Sequence, residues 1–422
     1  MEATRVQLAQ GVYLTYLPAR KFKTSLLSAQ FVTPLRQDTA GANALLAAVL
    51  RRGTVSCPDM GALSARMDHL YDASIDYTVR KKGENQCVGF VASFIDDCYA
   101  PGGERLLEPV AELLGELVCD PVTFHGRFVP EYFDSEKTNL LEAIRSLIND
   151  KRDWADSRLL SALCAGEAYA IPRLGDEETV DKLQALKVYD QYRQMISTAP
   201  MEIIYSGSAD LERVRLALAA AFATLPREEV RAISAAEPHI GRETVQYVED
   251  AMDVTQGKLG MGFSCGSSDM PALLMGNTLF GGSSNSKLFL NVREKLSLCY
   301  YASSLYHRQK GLITVSSGIE FQNYQKAYDE IMAQLEAVQK GQLEDWELEG
   351  ARSTLLNSYA TIGDSQSKLE NFWLGQTATG RSDTPEELAA GIRAVSTEEI
   401  CAAMRSVSLD TVYFLKGEGA AE

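Results

Sequence analysis

The pattern of hydrophobic and polar positions predicts the same series of elements twice along the chain. In each half, two apolar runs typical of strands precede two short helices, and a hairpin, several helices and a closing strand follow. This order indicates an internal duplication with a period of roughly 230 residues. The predicted fold class is α+β, with two similar halves, each a mixed and mostly antiparallel sheet with helices packed mainly on one face.

A polar segment separates the two series. Residues 226–242 contain two prolines and show neither helical nor strand periodicity, which indicates a linker. We therefore predict an N-terminal domain over 1–225, a linker over 226–242 and a C-terminal domain over 243–422. The length of 422 residues agrees with two domains, because single cores rarely grow beyond about 250–300 residues.

One predicted helix, Gly41–Thr54, is apolar on nearly every side. Asn43 is its one polar residue before the terminal arginines. Asp38 or Thr39 is the expected N-cap, and Gly53 is the expected left-handed C-cap. A short helix without a polar face is normally buried, so this segment is predicted to lie in the core of the first half.

Composition narrows the classes of function. The formal net charge is −16, which argues against nucleic acid or an anionic membrane as a partner because both would repel this surface. The eight cysteines are scattered and none forms Cys-x-x-Cys, which is typical of reduced, buried thiols in a cytoplasmic protein. The first residues lack a secretory signal pattern, and no apolar run is long enough to span a membrane.

Four stretches carry motifs of a known family. They are Gly41–Thr54, Glu136–Ile144 with Tyr169–Gly175 and Glu178, the linker, and Leu279–Phe289 with Val292–Tyr300. In these stretches the chain resembles the insulinase–pitrilysin (inverzincin) metallopeptidases, which include mitochondrial processing peptidase. The resemblance covers nearly all of the chain, and the last stretch is the most specific. It implies the metallohydrolase fold of mitochondrial processing peptidase.

The resemblance locates a zinc site whose ligands are missing here. Family members have Gly-x-x-His-x-x-Glu-His in the first stretch, where two histidines four residues apart bind zinc and the glutamate activates water. The matching positions are Ala44, Ala47 and Ala48. The third ligand of the family, a Glu seven residues after another Glu, is Ala143 here, although the earlier Glu136 is retained. The small alanines predict space without ligands at this position.

No other residue pattern replaces the zinc site. The four histidines are His69, His125, His239 and His307. None has a second His or a Cys three or four residues further along, and each is expected to be an ordinary surface or hydrogen-bonded histidine. We therefore expect no metal and no cofactor in this chain. The resemblance implies that zinc is bound by a partner subunit instead.

Paired bacterial members of the family have one subunit that lacks zinc. The second half of this chain retains two residue types that this subunit uses. There, an Arg and a Tyr in this setting complete the substrate site of the partner, which implies that role for Arg293 and Tyr300. An Arg can hold a carbonyl or carboxylate, and a Tyr hydroxyl can donate to a developing oxyanion. The alternative is that Arg293 forms a local salt bridge and Tyr300 packs in the sheet. Gly281 and Gly282 are expected in a flexible loop before a helix N-cap, without the spacing of a phosphate loop.

Three functions follow from these features. The first is a catalytically silent subunit of a heterodimeric zinc peptidase, which would not be an enzyme on its own. The second is a non-proteolytic scaffold that holds a peptide or protein; one similar group of bacterial proteins is linked to modification of elongation factor P with 5-aminopentanol. The third is an active peptidase with atypical ligands, and a homodimer would contain no metal site at all.

Overall fold

The chain forms two compact units in a computed structural model that describes residues 3–235 and 237–418. The first unit contains the described residues up to Arg145, together with Ile171–Ala235 and Gly363–Ser382. The second unit contains Ser146–Ala170 and the described residues of 237–362 and 383–418. Each unit thus includes a segment from the other half of the sequence, which a contiguous division at 226–242 does not anticipate.

The first unit is built on a six-stranded sheet. Its order is β1-β2-β8-β3-β5-β4, with β2 and β8 parallel and all other neighbours antiparallel. A separate two-stranded pair, β6 and β7, is antiparallel. The strands of this unit are β1 (Thr4–Ala9), β2 (Val12–Pro18), β3 (Thr24–Pro34), β4 (Ser74–Lys82), β5 (Asn85–Ile95), β6 (Thr123–Phe124), β7 (Arg127–Phe128) and β8 (Met201–Gly207).

The second unit repeats this topology. Its strands are β9 (Gln246–Met252), β10 (Gly257–Cys265), β11 (Cys299–His307), β12 (Leu312–Ile319) and β13 (Val407–Gly417). The order β9-β13-β10-β12-β11 matches β2-β8-β3-β5-β4, and the pair β9–β13 is parallel as β2–β8 is. The predicted duplication and the α+β class are therefore confirmed. Of the strands in the two sheets, the hydrophobic pattern did not predict β1, and it did not predict the separate pair β6 and β7 either.

Fourteen α-helices complete the described part of the chain. They are α1 (Ala40–Leu50), α2 (Met60–His69), α3 (Leu107–Cys119), α4 (Pro130–Ser146), α5 (Lys151–Leu163), α6 (Glu177–Asp181), α7 (Ala185–Thr198), α8 (Leu211–Ala221), α9 (Met270–Asn277), α10 (Tyr324–Gln339), α11 (Asp345–Ala360), α12 (Gln366–Thr377), α13 (Pro385–Ala394) and α14 (Thr397–Arg405). Two π-helical segments, Thr278–Gly282 and Leu288–Lys295, lie in the most family-specific stretch. No helix of residues 3–235 and 237–418 combines the length and the apolar character needed to cross a membrane.

One helix covers the second face of each sheet. In the first unit, Leu27, Ala29 and Phe31 of β3 face the main core, whereas Ser28 points the other way and donates to Glu370 of α12 at 2.7 Å. In the second unit, α5 packs on β10 and β13. A Cβ on Gly262 of β10 would lie 2.7 Å from the side chain of Leu163, so the missing side chain lets α5 approach the sheet.

Helix α1 is buried over its whole length, as its composition predicts. All eleven of its residues are buried, and most belong to the core of the first unit. Thr39 is the N-cap residue, one of the two predicted, although its side chain makes no capping bond and Asp38 pairs with Arg36. The predicted C-cap at Gly53 is wrong. The helix ends at Leu50, and Gly53 is not left-handed; a Cβ there would meet the carbonyl of Pro58 at 2.6 Å.

The predicted linker is anchored in both units. Arg227 donates to the carbonyl of Ile196 at 2.7 Å and to that of Ala199 at 2.8 Å in the first unit. In the second unit, His239 is buried and its backbone amide donates to the carbonyl of Lys310 at 2.7 Å. The polar composition of this segment therefore reflects buried hydrogen bonds as well as contact with solvent.

Candidate functional site

A cavity of about 440 Å³ lies where the family frame places zinc. It is formed in the first unit by α1, the edge strand β4, α4 and the segment before α6. Ala44, Ala48 and Ala143 all line it, so the predicted space is present. Ala47, the position of the general base in the family frame, instead packs in the hydrophobic core.

The residues of this cavity do not fit a zinc ion. The alanines offer no ligand atom, and Glu136 supplies the one carboxylate among the described lining residues. Both of its oxygens already accept hydrogen bonds, from Arg52 at 2.9 Å and from Asn139 at 3.1 Å. Glu136 is therefore part of a polar network that closes one side of the cavity.

Two arginines, Arg80 and Arg173, also line the cavity. Arg80 of β4 forms two hydrogen bonds with Glu370, at 2.6 and 2.7 Å, and Glu370 is only 3% exposed. Arg173 donates to the backbone carbonyl of Val79 at 3.0 Å. Tyr77 also lines the cavity, where burial and the nearby charge of Glu136 raise the pKa of its hydroxyl. Polar and cationic side chains therefore line the space that the alanines leave.

A close contact between two glycines, Gly175 and Gly41, places the turn that carries Arg173 beside α1. Gly175 has φ +75°, which favours glycine, and a Cβ there would lie 2.7 Å from the Cα of Gly41 in α1. Gly41 in turn has no room for a side chain beside Val180 of α6. This close packing holds the Arg173–Gly175 turn against the first turn of α1. It explains why the Gly-Ala-Asn and Arg-Leu-Gly motifs occur together in the sequence.

Arg293 and Tyr300 lie in the second unit, on neighbouring elements. Arg293 is on the π-helical segment Leu288–Lys295, stacked over the ring of Phe289 at 4.6 Å and 3.5 Å from the carboxylate of Glu294. Its side chain is 40% exposed. The local ion pair that the sequence left open is therefore present, but it leaves the guanidinium accessible.

Tyr300 projects from the edge of its sheet. The pairing of β11 with β12 shifts between Cys299 and Tyr301, so Tyr300 lies in a bulge, which re-aims its side chain. The residue is 59% exposed, so the alternative in which it packs in the sheet is wrong. Its hydroxyl donates to Glu320, and this hydrogen bond raises the pKa of the tyrosine.

The glycines before Arg293 are structural. Gly281 is buried in the π-helical segment Thr278–Gly282, where a Cβ would lie 2.7 Å from the side chains of Leu288 and Ser304. A Cβ on Gly282 would lie 2.9 Å from the side chain of Asn277. The expected flexible loop is therefore wrong for these two positions. They are helical and closely packed.

A buried charge network in the second unit was missed by sequence reasoning. Glu167 pairs with Lys310 at 2.5 Å and with Nδ1 of His239 at 2.6 Å, and Nε2 of His239 lies 3.3 Å from Asp410. Cys164 lies close enough to Glu167 and His239 to form a group of three metal-ligand types. Burial alone would raise the pKa of Glu167, but the hydrogen bonds from Lys310 and His239 outweigh it and lower that pKa. Lys310 thus already neutralises the carboxylate a metal would need.

Comparison with known proteins identifies the family. Residues 182–355 match the family described as Peptidase M16 inactive domain. Over 419 residues the chain is 35% identical to the probable inactive metalloprotease YmfF of Bacillus subtilis (strain 168), with 97% of each chain covered. The chain belongs to the M16 peptidase family. The predicted membership among insulinase–pitrilysin relatives is therefore confirmed.

Solved structures show the same M16 fold. A conserved protein from Enterococcus faecalis V583 is 29% identical, with a TM-score of 0.90 and 100% of both chains covered. A peptidase M16 inactive domain from Pseudomonas fluorescens is 17% identical, with a TM-score of 0.78 over 100% of both chains. The second likeness establishes the fold alone, because its sequence identity is low. This M16 chain is thus a homologue of a probable inactive member.

Proposed function

We propose that this chain is the non-catalytic subunit of a two-chain zinc peptidase. A zinc-motif-bearing relative would supply the metal and the general base, and this chain would supply Arg293 and Tyr300 to the peptide site. The observation that carries the proposal is the contrast between the two units. The metal positions are alanines beside Glu136, whose two oxygens already accept hydrogen bonds, whereas the Arg293 side chain is 40% exposed and Tyr300 is 59% exposed.

The chemistry of the two side chains suits this role. A guanidinium that is 40% exposed can hold a peptide carbonyl or carboxylate without leaving its stacked position on Phe289. A tyrosine hydroxyl is ordinarily protonated near neutral pH, and the hydrogen bond to Glu320 raises the pKa of Tyr300 further, so the hydroxyl remains a hydrogen-bond donor. On binding, that hydrogen bond would move from Glu320 to the substrate oxygen.

The proposal is tested with the isolated chain and with the pair. The chain purified alone should contain no stoichiometric zinc and should cleave no peptide. Co-expression with an M16 relative carrying His-x-x-Glu-His should give a stable complex whose peptidase activity requires both chains. Tight zinc binding by the chain alone, or chelator-sensitive cleavage without a partner, contradicts the proposal.

Two substitutions test the assigned residues. Arg293→Ala and Tyr300→Phe should each lower kcat/KM of the complex by tenfold or more while the complex stays assembled in gel filtration. Lys295→Ala removes a charge from the same π-helical segment and serves as the matched control. Unchanged turnover in both variants would remove these residues from the proposal, although the pairing itself would stand.

Non-proteolytic peptide binding is a second candidate. It is favoured by the cavity in the first unit, which keeps polar and cationic side chains although the metal ligands are absent. A complex that holds a peptide without cutting it, with any zinc-bearing partner absent from pull-downs, would support this function over the first.

A further inference from the structure

The cavity beside α1 has one charged group without an opposite charge. Of its charged lining residues, Arg80 is neutralised by Glu370 and Glu136 by Arg52. Arg173 makes a hydrogen bond to a backbone carbonyl, and no carboxylate of residues 3–235 and 237–418 forms an ion pair with it. The cavity therefore carries a net positive charge, although the whole chain has a formal charge of −16.

We propose that this cavity binds a peptide carboxylate, with Arg173 as the residue that recognises it. The site lies in this chain and needs no zinc-bearing partner, so the proposal does not depend on the subunit role; it rests on the second candidate function, peptide binding by this same cavity, and names the group that is recognised. It assigns a ligand class to the space left by the lost metal ligands.

The lining matches a carboxylate attached to an apolar body. Ala44 and Ala48 form the floor from α1, and Leu140 and Leu174 add apolar walls. A volume of about 440 Å³ lies within the usual range of small-ligand sites and is large enough for one or two side chains. Small-ligand sites usually combine apolar walls with a few convergent polar groups, because the polar groups fix the orientation of the ligand.

The guanidinium of Arg173 is suited to this partner. Arginine presents a planar fork of donors that pairs with both oxygens of a carboxylate, and such charge-assisted bonds are stronger than neutral ones. Its bond to Val79 uses one of these nitrogens, so other donors stay available. The packing of Gly175 on Gly41 holds the turn that carries Arg173, which lowers the entropy lost on binding.

Four acetylated tetrapeptides test the proposal by ligand-observed NMR and titration calorimetry with the full chain. The first, Ala-Ala-Leu-Ala, has a free terminal carboxylate. The second, Ala-Glu-Leu-Ala amide, has only a side-chain carboxylate. The neutral Ala-Ala-Leu-Ala amide and the basic Ala-Lys-Leu-Ala amide complete the set. We expect the carboxylate peptides to bind at least tenfold more tightly than the other two, and the tighter of the first pair identifies the source.

Variants connect binding to the cavity. Arg173→Met should reduce affinity for the carboxylate peptides at least tenfold, and Arg173→Lys should retain part of it, because a lysine keeps the charge but not the fork. Arg193→Met removes an exposed arginine of α7 in the same unit and is the matched control. Ala143→Leu should fill part of the cavity and weaken all peptide binding. Circular dichroism and the unfolding midpoint establish that each variant is folded.

Three results would overturn the proposal. They are equal affinity for the neutral amide, unchanged binding in Arg173→Met, and no binding of either carboxylate peptide at millimolar concentration. Because all measurements use this chain alone, their failure leaves the subunit proposal untouched. Likewise, failure to find a zinc-bearing partner leaves this proposal untouched.

Discussion

Removing the carboxylate of Glu370 should destabilise the first unit strongly. Glu370 is 3% exposed, accepts two hydrogen bonds from Arg80 at 2.6 and 2.7 Å, and accepts one from Ser28 at 2.7 Å. Glu370→Ala leaves the Arg80 guanidinium, whose side chain is 22% exposed, without its counter-charge. Breaking a buried pair on one side costs about 3–5 kcal/mol. Because Arg80 keeps some contact with solvent, we expect about 3 kcal/mol, or roughly a 150-fold shift in the unfolding equilibrium.

Urea unfolding followed by tryptophan fluorescence measures this effect in the first unit alone. Trp373 lies in α12 and is 7% exposed, so a background with Trp154→Phe and Trp346→Phe reports on the unit that holds Glu370. A local probe is needed because two compact units need not unfold in one transition. The double variant Arg80→Met/Glu370→Met should recover most of the loss, since neither charge is then left buried and unpaired.

The control removes an exposed pair. Glu178→Ala abolishes the contact with Lys182, in which both side chains are largely exposed, and should leave the midpoint unchanged. The reasoning is refuted if Glu370→Ala costs less than about 1 kcal/mol, the size of an ordinary surface effect. Additive effects in the double variant would refute it as well, because they would show that the two charges do not depend on each other.

Three further predictions each concern one or two other residues. Asp96 accepts four hydrogen bonds, which outweigh the effect of burial and lower its pKa, so Asp96→Asn should reduce the free energy of unfolding by about 2 kcal/mol near neutral pH. Because the folded-state pKa lies below the unfolded value, the stability advantage of the wild type, measured by urea midpoints, should disappear as the pH falls through the folded-state pKa. Burial raises the pKa of Cys87 and Cys265 to about 12, so a thiol reagent at mildly alkaline pH should react first with the exposed Cys98. Cys98→Ser should remove this fast phase of the reaction. Gly175→Ala should reduce the free energy of unfolding by about 2 kcal/mol or more and weaken peptide binding, because φ is +75° and the added Cβ would meet the backbone of α1. If the variant melted at the same temperature as the wild type, the packing described here would be wrong.

Local chemistry was enough to predict much of the fold. Alternating apolar runs located the strands of both sheets except β1, whose exposed and half-buried residues give a weak pattern. The burial of α1 followed from its composition, since a helix without a polar face has no stable place in water. The loss of metal ligands was also readable, because a histidine pair needs its own residue types at a fixed spacing.

The helix ends and the glycines were harder to predict. The C-terminus of α1 was expected at Gly53, but this glycine serves a close approach to Pro58 rather than a left-handed turn. Gly281 has the same kind of role beside Leu288 and Ser304. A glycine is required equally by a positive φ and by lack of room for a Cβ, and the sequence does not distinguish these two causes.

The sequence by itself determined the class of each half, the duplication and the missing zinc ligands, because these depend on residue type and short spacing. Only the tertiary structure decided that α12 covers the first sheet and α5 the second, and that Ala47 packs in the core while Ala48 faces a cavity. It also decided that Arg173 has no carboxylate partner among the described residues. Glu370 and Arg80 are 290 residues apart in the chain. Their pairing follows from which faces remain to be buried after the sheets form, and this is a property of the whole fold rather than of any local pattern.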